Sequence, residues 1–210
     1  MFSFDHNLSM VEAHNALPGN KTPVIVSGTH YVLGTPLTPP FPPDYEKAVV
    51  AMGCFWGAER AMWSLEGVYT TAAGYCGGFS QNPTYEQVCS GKTGHAESVL
   101  VIFDPTLLSY AEIIKVFYET HDPTQYMKQG NDVGTQYRSA IYCDDPNQMQ
   151  TALEITQRYQ NTLITANMGQ ITTEISLQSD FYYAEEYHQQ YLAKNPSGYC
   201  GLKSTGLKCL

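Results

Sequence analysis

The fold prediction starts from residues 48–67, which read AVVAMGCFWGAERAMWSLEG. Residues 48–52 form a short, unbroken apolar run that ends at Gly53, as expected of a buried strand. Small or apolar side chains then recur at helical spacing and share one face: Ala58, Ala61, Met62 and Leu65. Gly67 ends that helix. The sequence therefore predicts a strand, a tight turn carrying Cys54, and a helix in direct succession.

Apolar runs and capping residues predict the elements that follow. Strands are expected at residues 68–73, 96–103, 137–142 and 171–177. Ser109 and Glu112 form a capping box before a helix. Asp145 and Pro146 start the next helix, over residues 147–163, with Met149, Ala152, Leu153 and Thr156 facing inward. A last helix is expected over residues 183–193.

The order of these elements predicts the fold class. It is β-α-β-β-α-β with an α-β-α extension, and the first six elements follow the order of ferredoxin-like sandwiches. We therefore expect an α+β protein whose core is a two-layer sandwich.

The two ends of the chain differ from the middle in composition. Seven of the 12 prolines fall within residues 18–43, a density that disfavours helix interiors and central strands. Residues 1–44 are expected to form an extended arm that wraps the domain, because the arm contains several apolar side chains. Residues 45–196 form the predicted catalytic domain. Residues 197–210, with three glycines and no periodicity, form a predicted flexible tail that carries Cys200 and Cys209.

Composition and charge exclude several classes of partner. With 20 acidic residues against 11 basic ones, the net charge of -9 disfavours a nucleic-acid partner. The first residues show no basic segment followed by a long apolar stretch, and no run of about 18 apolar residues occurs, so neither a signal peptide nor a membrane span is expected. We expect a soluble, cytoplasmic protein. Six cysteines are too few for a disulfide scaffold, and they show no zinc-ligand spacing, so neither a metal nor another cofactor is expected.

The segment GCFWG, residues 53–57, is the first candidate for chemistry. It places Cys54 at the start of a helix, where free N–H groups and the helix dipole favour the thiolate, the nucleophilic form of cysteine. Phe55 and Trp56 could wall an apolar pocket beside the sulfur. A buried, unreactive cysteine among core aromatics is about equally compatible with the position alone. The flanking glycines favour the reactive interpretation, because they allow a close approach to the backbone.

TGHAE, residues 93–97, is the second candidate. Desolvation of Glu97 at the mouth of an apolar strand would keep it protonated, as a general acid requires. An exposed carboxylate at a strand end is the simpler alternative. His95-Ala96-Glu97 also resembles the H-x-E of zinc deaminases, but the P-C-x-x-C that would complete their metal site does not occur here.

Two polar and aromatic segments are further candidates. Residues 130–139, GNDVGTQYRS, form a polar, glycine-bounded loop, and residues 182–191 are rich in tyrosine, whose hydroxyl can orient an oxygen-bearing substrate. His188 and Tyr191 are spaced to share one helix face. With 16 tyrosines in the chain, packing is the common role of any one of them.

Four blocks in series resemble peptide methionine sulfoxide reductase A: GCFWGAER at 53–60, TGHAE at 93–97, GNDVGTQYRS at 130–139 and NPSGYCG at 195–201. The resemblance covers most of residues 47–201. It implies that Cys54 attacks the sulfoxide sulfur and that Glu97 donates a proton to its oxygen.

The same resemblance assigns the remaining site residues. Phe55 and Trp56 would hold the substrate methyl group, Tyr85 and Tyr137 would hydrogen-bond the sulfoxide oxygen, and Asp132 would line the site. Attack leaves Cys54 as a sulfenic acid.

The family also implies how the enzyme is recycled. Cys200 would resolve the sulfenic acid of Cys54, Cys209 would then take over the disulfide, and thioredoxin would reduce it. Cys76, Cys89 and Cys143 have no place in this relay and are expected to be ordinary buried thiols.

Two alternatives stay open at this stage. One is a cysteine hydrolase or acyltransferase in which Cys54 attacks a carbonyl and Glu97 shuttles the proton, which leaves the tail cysteines unexplained. The other is an interaction module with a structural metal among Cys76, Cys89 and His95.

Overall fold

The computed structural model describes residues 8–26, 28–177 and 180–209. Parts of the predicted arm and tail, residues 1–7, 27 and 210, therefore lie outside the described residues. The strands are β1 Glu46–Met52, β2 Val68–Cys76, β3 Ala96–Phe103, β4 Lys128–Gln129, β5 Asp132–Val133, β6 Ser139–Cys143, β7 Glu174–Leu177 and β8 Tyr182–Tyr183. The α-helices are α1 Phe55–Trp63, α2 Tyr85–Cys89, α3 Tyr110–Thr120, α4 Pro146–Thr165 and α5 Tyr191–Lys194.

One mixed sheet organises the chain, which is an α+β protein. Six strands lie in the order β7-β6-β1-β3-β2-β8. β7 runs parallel to β6, and the other neighbours are antiparallel. β4 and β5 form a separate two-stranded hairpin. Because β1 and β3 are the two central strands, the residues at their ends, Cys54 and Glu97, lie side by side.

The two faces of the sheet are covered differently. On one face, alternate residues of the strands pack against α1, α3 and α4, around fully buried side chains such as Phe55, Met62 and Phe117. On the other face, Val49, Leu100 and Ile102 are covered by smaller groups that include Phe41 of the N-terminal segment. The start of α1, next to Cys54, therefore lies on the face of the sheet that the helices cover.

The N-terminal segment follows the surface of the domain through specific contacts. Leu17 N–H donates to the Lys92 carbonyl at 2.9 Å, and the Ser80 hydroxyl donates to the Leu17 carbonyl at 2.6 Å. Leu37 is 1% exposed. Among the described residues of this segment, the only helix is a 3-10 turn, Ala13–Asn15.

Several elements were predicted correctly from short stretches of sequence. β3 has the predicted bounds, and α3 begins with the predicted capping box of Ser109 and Glu112. α4 begins with Asp145 as its N-cap and Pro146 in its first turn. These signals succeeded because a cap, or a strand that is buried on both faces, is specified by adjacent residues.

The predicted helix over residues 183–193 is wrong. Tyr182 and Tyr183 pair with β2, and only Tyr191–Lys194 is helical. The Gln189 side chain binds the backbone of Ala73 in β2, through its oxygen to the N–H and through its amide to the carbonyl, both at 2.9 Å. Contacts distant in sequence thus replace the hydrogen bonds of a helix.

Three smaller expectations are also corrected. Tyr137 belongs to a 3-10 helix, Thr135–Tyr137, because its N–H turns back to the Gly134 carbonyl, so β6 begins only at Ser139. β7 begins at Glu174 and not at residue 171. Leu153 is 48% exposed, because Ala152, Ile155, Tyr159 and Leu163 form the inner face of α4.

None of the helices within the described ranges, 8–26, 28–177 and 180–209, has the length and apolar character needed to cross a membrane.

The α3 capping box provides a test of this local structure. Ser109 Oγ accepts from Glu112 N–H at 3.2 Å, and Glu112 Oε2 accepts from Ser109 N–H at 2.8 Å. We expect Ser109→Ala to lower the free energy of unfolding by about 1 kcal/mol, because the first turn of α3 loses a partner for its N–H. Urea denaturation measures this change. Ser197→Ala, in an exposed turn, is the control, and an equal effect there would contradict the assignment.

Candidate active site

Cys54 lies in the turn between β1 and α1 and caps the N-terminus of the helix. The turn requires glycine at position 53, because its φ is +90° and a Cβ there would lie 2.5 Å from Gln129 Cβ. The Cys54 side chain is 7% exposed. The sulfur is therefore held in a shielded position at the end of the central strand.

The pKa of the Cys54 thiol is higher than its position at the start of a helix predicts. Burial raises the pKa of Cys54 above its ordinary value, and the neighbouring Glu97 raises it further. Hydrogen bonds from the N–H groups of Trp56 and Gly57 act in the opposite direction but are outweighed. The expectation of a resting thiolate is thus wrong, because desolvation exceeds the stabilisation that the helix N-terminus provides.

Glu97 is held beside Cys54 by a single backbone hydrogen bond. The carboxyl group is 1% exposed, and its Oε2 accepts from Phe55 N–H at 3.0 Å. Burial raises the pKa of Glu97 to about 8, with a smaller contribution from Asp132, although the bond to Phe55 lowers it. At neutral pH the group is consequently a buried carboxylic acid, not the exposed carboxylate that was the alternative.

Aromatic rings pack around the start of α1. Trp56 stacks on Tyr191 with ring centroids 3.8 Å apart, and its Nε1–H donates to His188 Nδ1 at 3.0 Å. The Phe55 and His188 centroids are 4.9 Å apart, and those of Tyr85 and His188 are 4.5 Å apart. His188 thus contacts all three rings, although it lies in a turn before α5 and not on the predicted helix.

Two tyrosine hydroxyls and one carboxylate complete the polar side of the site. The pKa values of Tyr85 and Tyr137 are raised, mainly by burial, and Glu97 raises both further. Both hydroxyls therefore keep their protons and can donate hydrogen bonds. Asp132 lies in the same group of residues, and its Oδ2 accepts from the Tyr199 hydroxyl at 3.2 Å.

Glu185 is a residue of this site that sequence analysis missed. Its carboxylate accepts from the Tyr75 hydroxyl and from Tyr85 N–H, both at 2.8 Å, and lies 4.0 Å from His188 Nε2. The α2 helix that begins at Tyr85 was missed as well. Its capping box, Thr84 with Gln87, was the sequence signal that could have revealed it.

Cys200 lies against the first turn of α1. A Cβ at Gly57 would approach the Cys200 sulfur to 2.9 Å, so the glycine leaves room for the tail there. Arg60 Nη2 donates to that sulfur at 3.3 Å, a contact that the sequence did not predict. Because Cys54 caps the same turn, the structure brings Cys200 to the helix end that carries the candidate nucleophile.

Cys209 lies in different surroundings. Its side chain is 7% exposed within the core cluster, and its N–H donates to Glu119 Oε1 at 2.8 Å. Lys208 Nζ pairs with Glu119 Oε2 at 2.6 Å. The tail is therefore docked along α3, with Cys209 at Glu119 and Cys200 at Arg60 of α1.

The remaining cysteines are not all buried as expected. Cys76 and Cys143 are buried, but Cys89 is exposed at the end of α2, next to the Tyr85 hydroxyl. Residues 8–26, 28–177 and 180–209 contain no cluster of three potential metal ligands. His95 Nδ1 accepts from Gly78 N–H and Nε2 binds the Ser80 carbonyl, so neither nitrogen is available for the metal-module alternative.

Comparison with known proteins places this geometry in a family. Residues 46–208 match the family model described as peptide methionine sulfoxide reductase. The chain belongs to this family. Its relatives include peptide methionine sulfoxide reductase MsrA of Ectopseudomonas mendocina (strain ymp), which is 58% identical over 98% of this chain and 93% of that protein.

Solved structures agree with this assignment. Methionine sulfoxide reductase A of Corynebacterium diphtheriae has a TM-score of 0.86 and 45% identity, and the match covers 96% of this chain and 98% of that one. Reduced Mxr1 of Saccharomyces cerevisiae has a TM-score of 0.71 and 33% identity, over 77% of this chain and 91% of its own. Mxr1 in complex with Trx2 shares the fold, with a TM-score of 0.54 at 20% identity, over 79% and 93% of the two chains.

The protonation of Glu97 leads to a testable pH dependence. A general acid works in its protonated form, and the pKa of this group is about 8. We expect the first-turnover rate of methionine release to fall as the pH rises through about 8, and to be retained below it. Glu97→Gln should lower that rate by about 10²- to 10⁴-fold and remove this alkaline decline. Rapid-quench assays from pH 6 to 10 measure both effects, and a parent rate that keeps rising above pH 9 would exclude Glu97 as the acid.

Proposed function

We propose that Cys54 is the nucleophile of this reductase, and that its sulfur accepts the oxygen atom when methionine sulfoxide is converted to methionine. The observation that carries the proposal is the placement of the Cys54 thiol and the protonated Glu97 carboxyl at one helix start. The Cys54 sulfur attacks the sulfoxide sulfur, the oxygen passes to Cys54 as a sulfenic acid, and methionine leaves. Cys54 is oxidised by two electrons and the substrate is reduced by two.

The protons balance within the site. Glu97 donates its proton to the sulfoxide oxygen, which is a poor leaving group until it is protonated. The proton of the Cys54 thiol then restores the Glu97 acid. No proton from solvent is consumed in this half-reaction, which suits two groups that are both shielded from water.

Substrate binding divides between an apolar and a polar side. We propose that Phe55 and Trp56 hold the methyl group by contact alone, because a methyl group forms no strong hydrogen bond. His188 and Tyr191 support the Trp56 ring. On the polar side, the hydroxyls of Tyr85 and Tyr137 donate to the sulfoxide oxygen, and Asp132 lines the entrance. Membership of the family implies that the substrate is the S epimer of methionine sulfoxide, free or within proteins.

The enzyme returns to its reduced state through the tail. The Cys200 thiol condenses with the Cys54 sulfenic acid, which forms a disulfide and releases water. Cys209 then attacks the Cys200 sulfur, forming the Cys200–Cys209 disulfide and returning Cys54 as a thiol. The position of Cys200 on Gly57 supports the first step. Thioredoxin is the proposed reductant, and Mxr1 of yeast has been solved with Trx2 bound.

We further propose how the chain is organised. The order β6-β1-β3-β2, with α1 and α3 on one face, supports a ferredoxin-like, two-layer core. Residues 45–196 would be the catalytic domain, residues 1–44 its covering arm and residues 197–210 a tail that becomes mobile when Cys209 is released. A cytoplasmic setting is part of the proposal, because six cysteines in 210 residues are too few for a disulfide scaffold.

The nucleophile has a direct test. We expect Cys54→Ser to release no methionine from methionine sulfoxide, because a serine hydroxyl cannot accept the oxygen atom. Methionine released per chain in the absence of reductant measures this. Normal release by the variant would disprove the assignment.

The relay has a separate test. Cys209→Ser should give a normal first turnover but accumulate the Cys54–Cys200 disulfide and lose most thioredoxin-linked turnover. Mass mapping of the disulfide and a thioredoxin-coupled assay measure these outcomes. Cys143→Ala retains all three relay thiols and is the control. Undiminished thioredoxin-linked activity of Cys209→Ser would refute the second exchange.

A further inference from the structure

Glu59 is a fully buried carboxyl group that the proposed reaction does not use. It lies on α1 one turn after Trp56 and is 0% exposed. Its Oε2 accepts from Gln190 N–H at 2.8 Å. Its Oε1 accepts from Gln190 Nε2 at 2.7 Å and from the Thr71 hydroxyl at 3.0 Å. A buried carboxyl group that accepts three hydrogen bonds is a specific structural contact, because buried polar groups in folded proteins are almost always hydrogen-bonded.

Gln190 is held in an unusual backbone conformation. Its φ and ψ are 48° and 41°, in the left-handed region that residues other than glycine seldom occupy. Glu59 binds both the backbone N–H and the side-chain amide of Gln190, and so supports this conformation. His188 and Tyr191, on either side of Gln190, are the residues that contact the Trp56 indole. Gln190 is thus close in the chain to both residues whose rings contact Trp56.

The N-terminal segment contacts Thr71 and Gln190, the two residues that donate hydrogen bonds to Glu59. His30 Nδ1 accepts from the N–H groups of Val32 and Leu33, at 3.2 and 3.1 Å, so its proton lies on Nε2. That Nε2–H donates to Thr71 Oγ1 at 2.9 Å, and the Thr71 hydroxyl in turn donates to Glu59. Tyr31 N–H donates to Gln190 Oε1 at 3.1 Å. Tyr31 thus binds Gln190 directly, whereas His30 reaches Glu59 only through the Thr71 hydroxyl.

We propose that Glu59 is a positioning residue for substrate binding, which acts through Gln190 to hold His188 and Tyr191 against Trp56, with residues 30 and 31 as the outer support. The inference rests on the proposed role of Trp56 in holding the substrate methyl group. An indole ring has one hydrogen-bond donor, and here it is given to His188. The orientation of the ring consequently depends on where His188 is fixed.

Glu59→Gln is the first test. The substitution keeps the volume but places an amide NH₂ opposite N–H donors of Gln190, so one hydrogen bond is lost and two donors face each other. We expect the substrate concentration for half-saturation of the first turnover to rise about tenfold, while the rate at saturation changes less than threefold. First-turnover release of methionine, measured against methionine sulfoxide concentration in the full chain, separates the two quantities.

A rescue and a control distinguish positioning from general damage. The double variant Glu59→Gln, Gln190→Glu exchanges donor and acceptor between the two side chains, and should recover most of the lost affinity. Glu154→Gln removes an exposed carboxylate from α4 and should change neither quantity. Should Glu59→Gln fail to fold, Gln190→Met removes the side-chain hydrogen bonds at similar volume and is expected to raise the half-saturating concentration in the same way.

The indole of Trp56 supplies a readout independent of activity. The chain has two tryptophans, and Trp63→Phe identifies their two indole N–H signals in a ¹⁵N NMR spectrum. Glu59→Gln should shift the Trp56 signal, because its hydrogen bond to His188 is altered, and the double variant should restore it.

The outcomes separate this inference from the proposed function. A parent protein that releases no methionine would overturn both. An active parent, together with a folded Glu59→Gln variant of unchanged half-saturating concentration, would overturn the positioning role alone. So would a variant whose saturated rate falls while its half-saturating concentration is unchanged.

Discussion

The hydrogen bond from Phe55 N–H to the Glu97 carboxyl group is the contact on which the site depends. It joins the first residue of α1 to the second residue of β3, and so places the acid next to the turn that carries Cys54. The bond exists because β1 and β3 are adjacent in the sheet and because the first N–H groups of a helix have no partner within it. A change in strand order would separate the two reactive groups.

Desolvation dominates the electrostatics of this site. It raises the pKa of both Cys54 and Glu97, so the resting pair is a thiol and a carboxylic acid. The helix N-terminus reduces the cost of forming a thiolate but does not produce one at rest. In the proposed reaction, such a pair holds both protons that are needed: Glu97 protonates the sulfoxide oxygen, and the Cys54 thiol restores the acid. The proposed reaction therefore does not require Cys54 to be ionised before its substrate arrives.

The two ends of the chain also contact the elements that form the site. The tail brings Cys200 to Gly57, while Cys209 is held on Glu119 along α3. The N-terminal segment reaches the back of the aromatic pocket, where His30 contacts the Thr71 hydroxyl. In the functions proposed above, the first contact serves the recycling of Cys54 and the second supports the aromatic rings of the pocket.

Features that neighbouring residues specify could be predicted from the sequence: the strand at 96–103, the caps at Ser109 and Asp145, the turn with Cys54, and the four blocks that indicate the family. The structure of the segment from Tyr182 to Tyr191 could not be predicted in this way. Its residue spacing suggested a helix, but the segment instead forms hydrogen bonds with β2 and Glu59. Nor did the sequence reveal Glu185, Arg60 or the protonation of Cys54. Each of these depends on groups more than 40 residues apart and on the exclusion of water, and only the folded chain creates both.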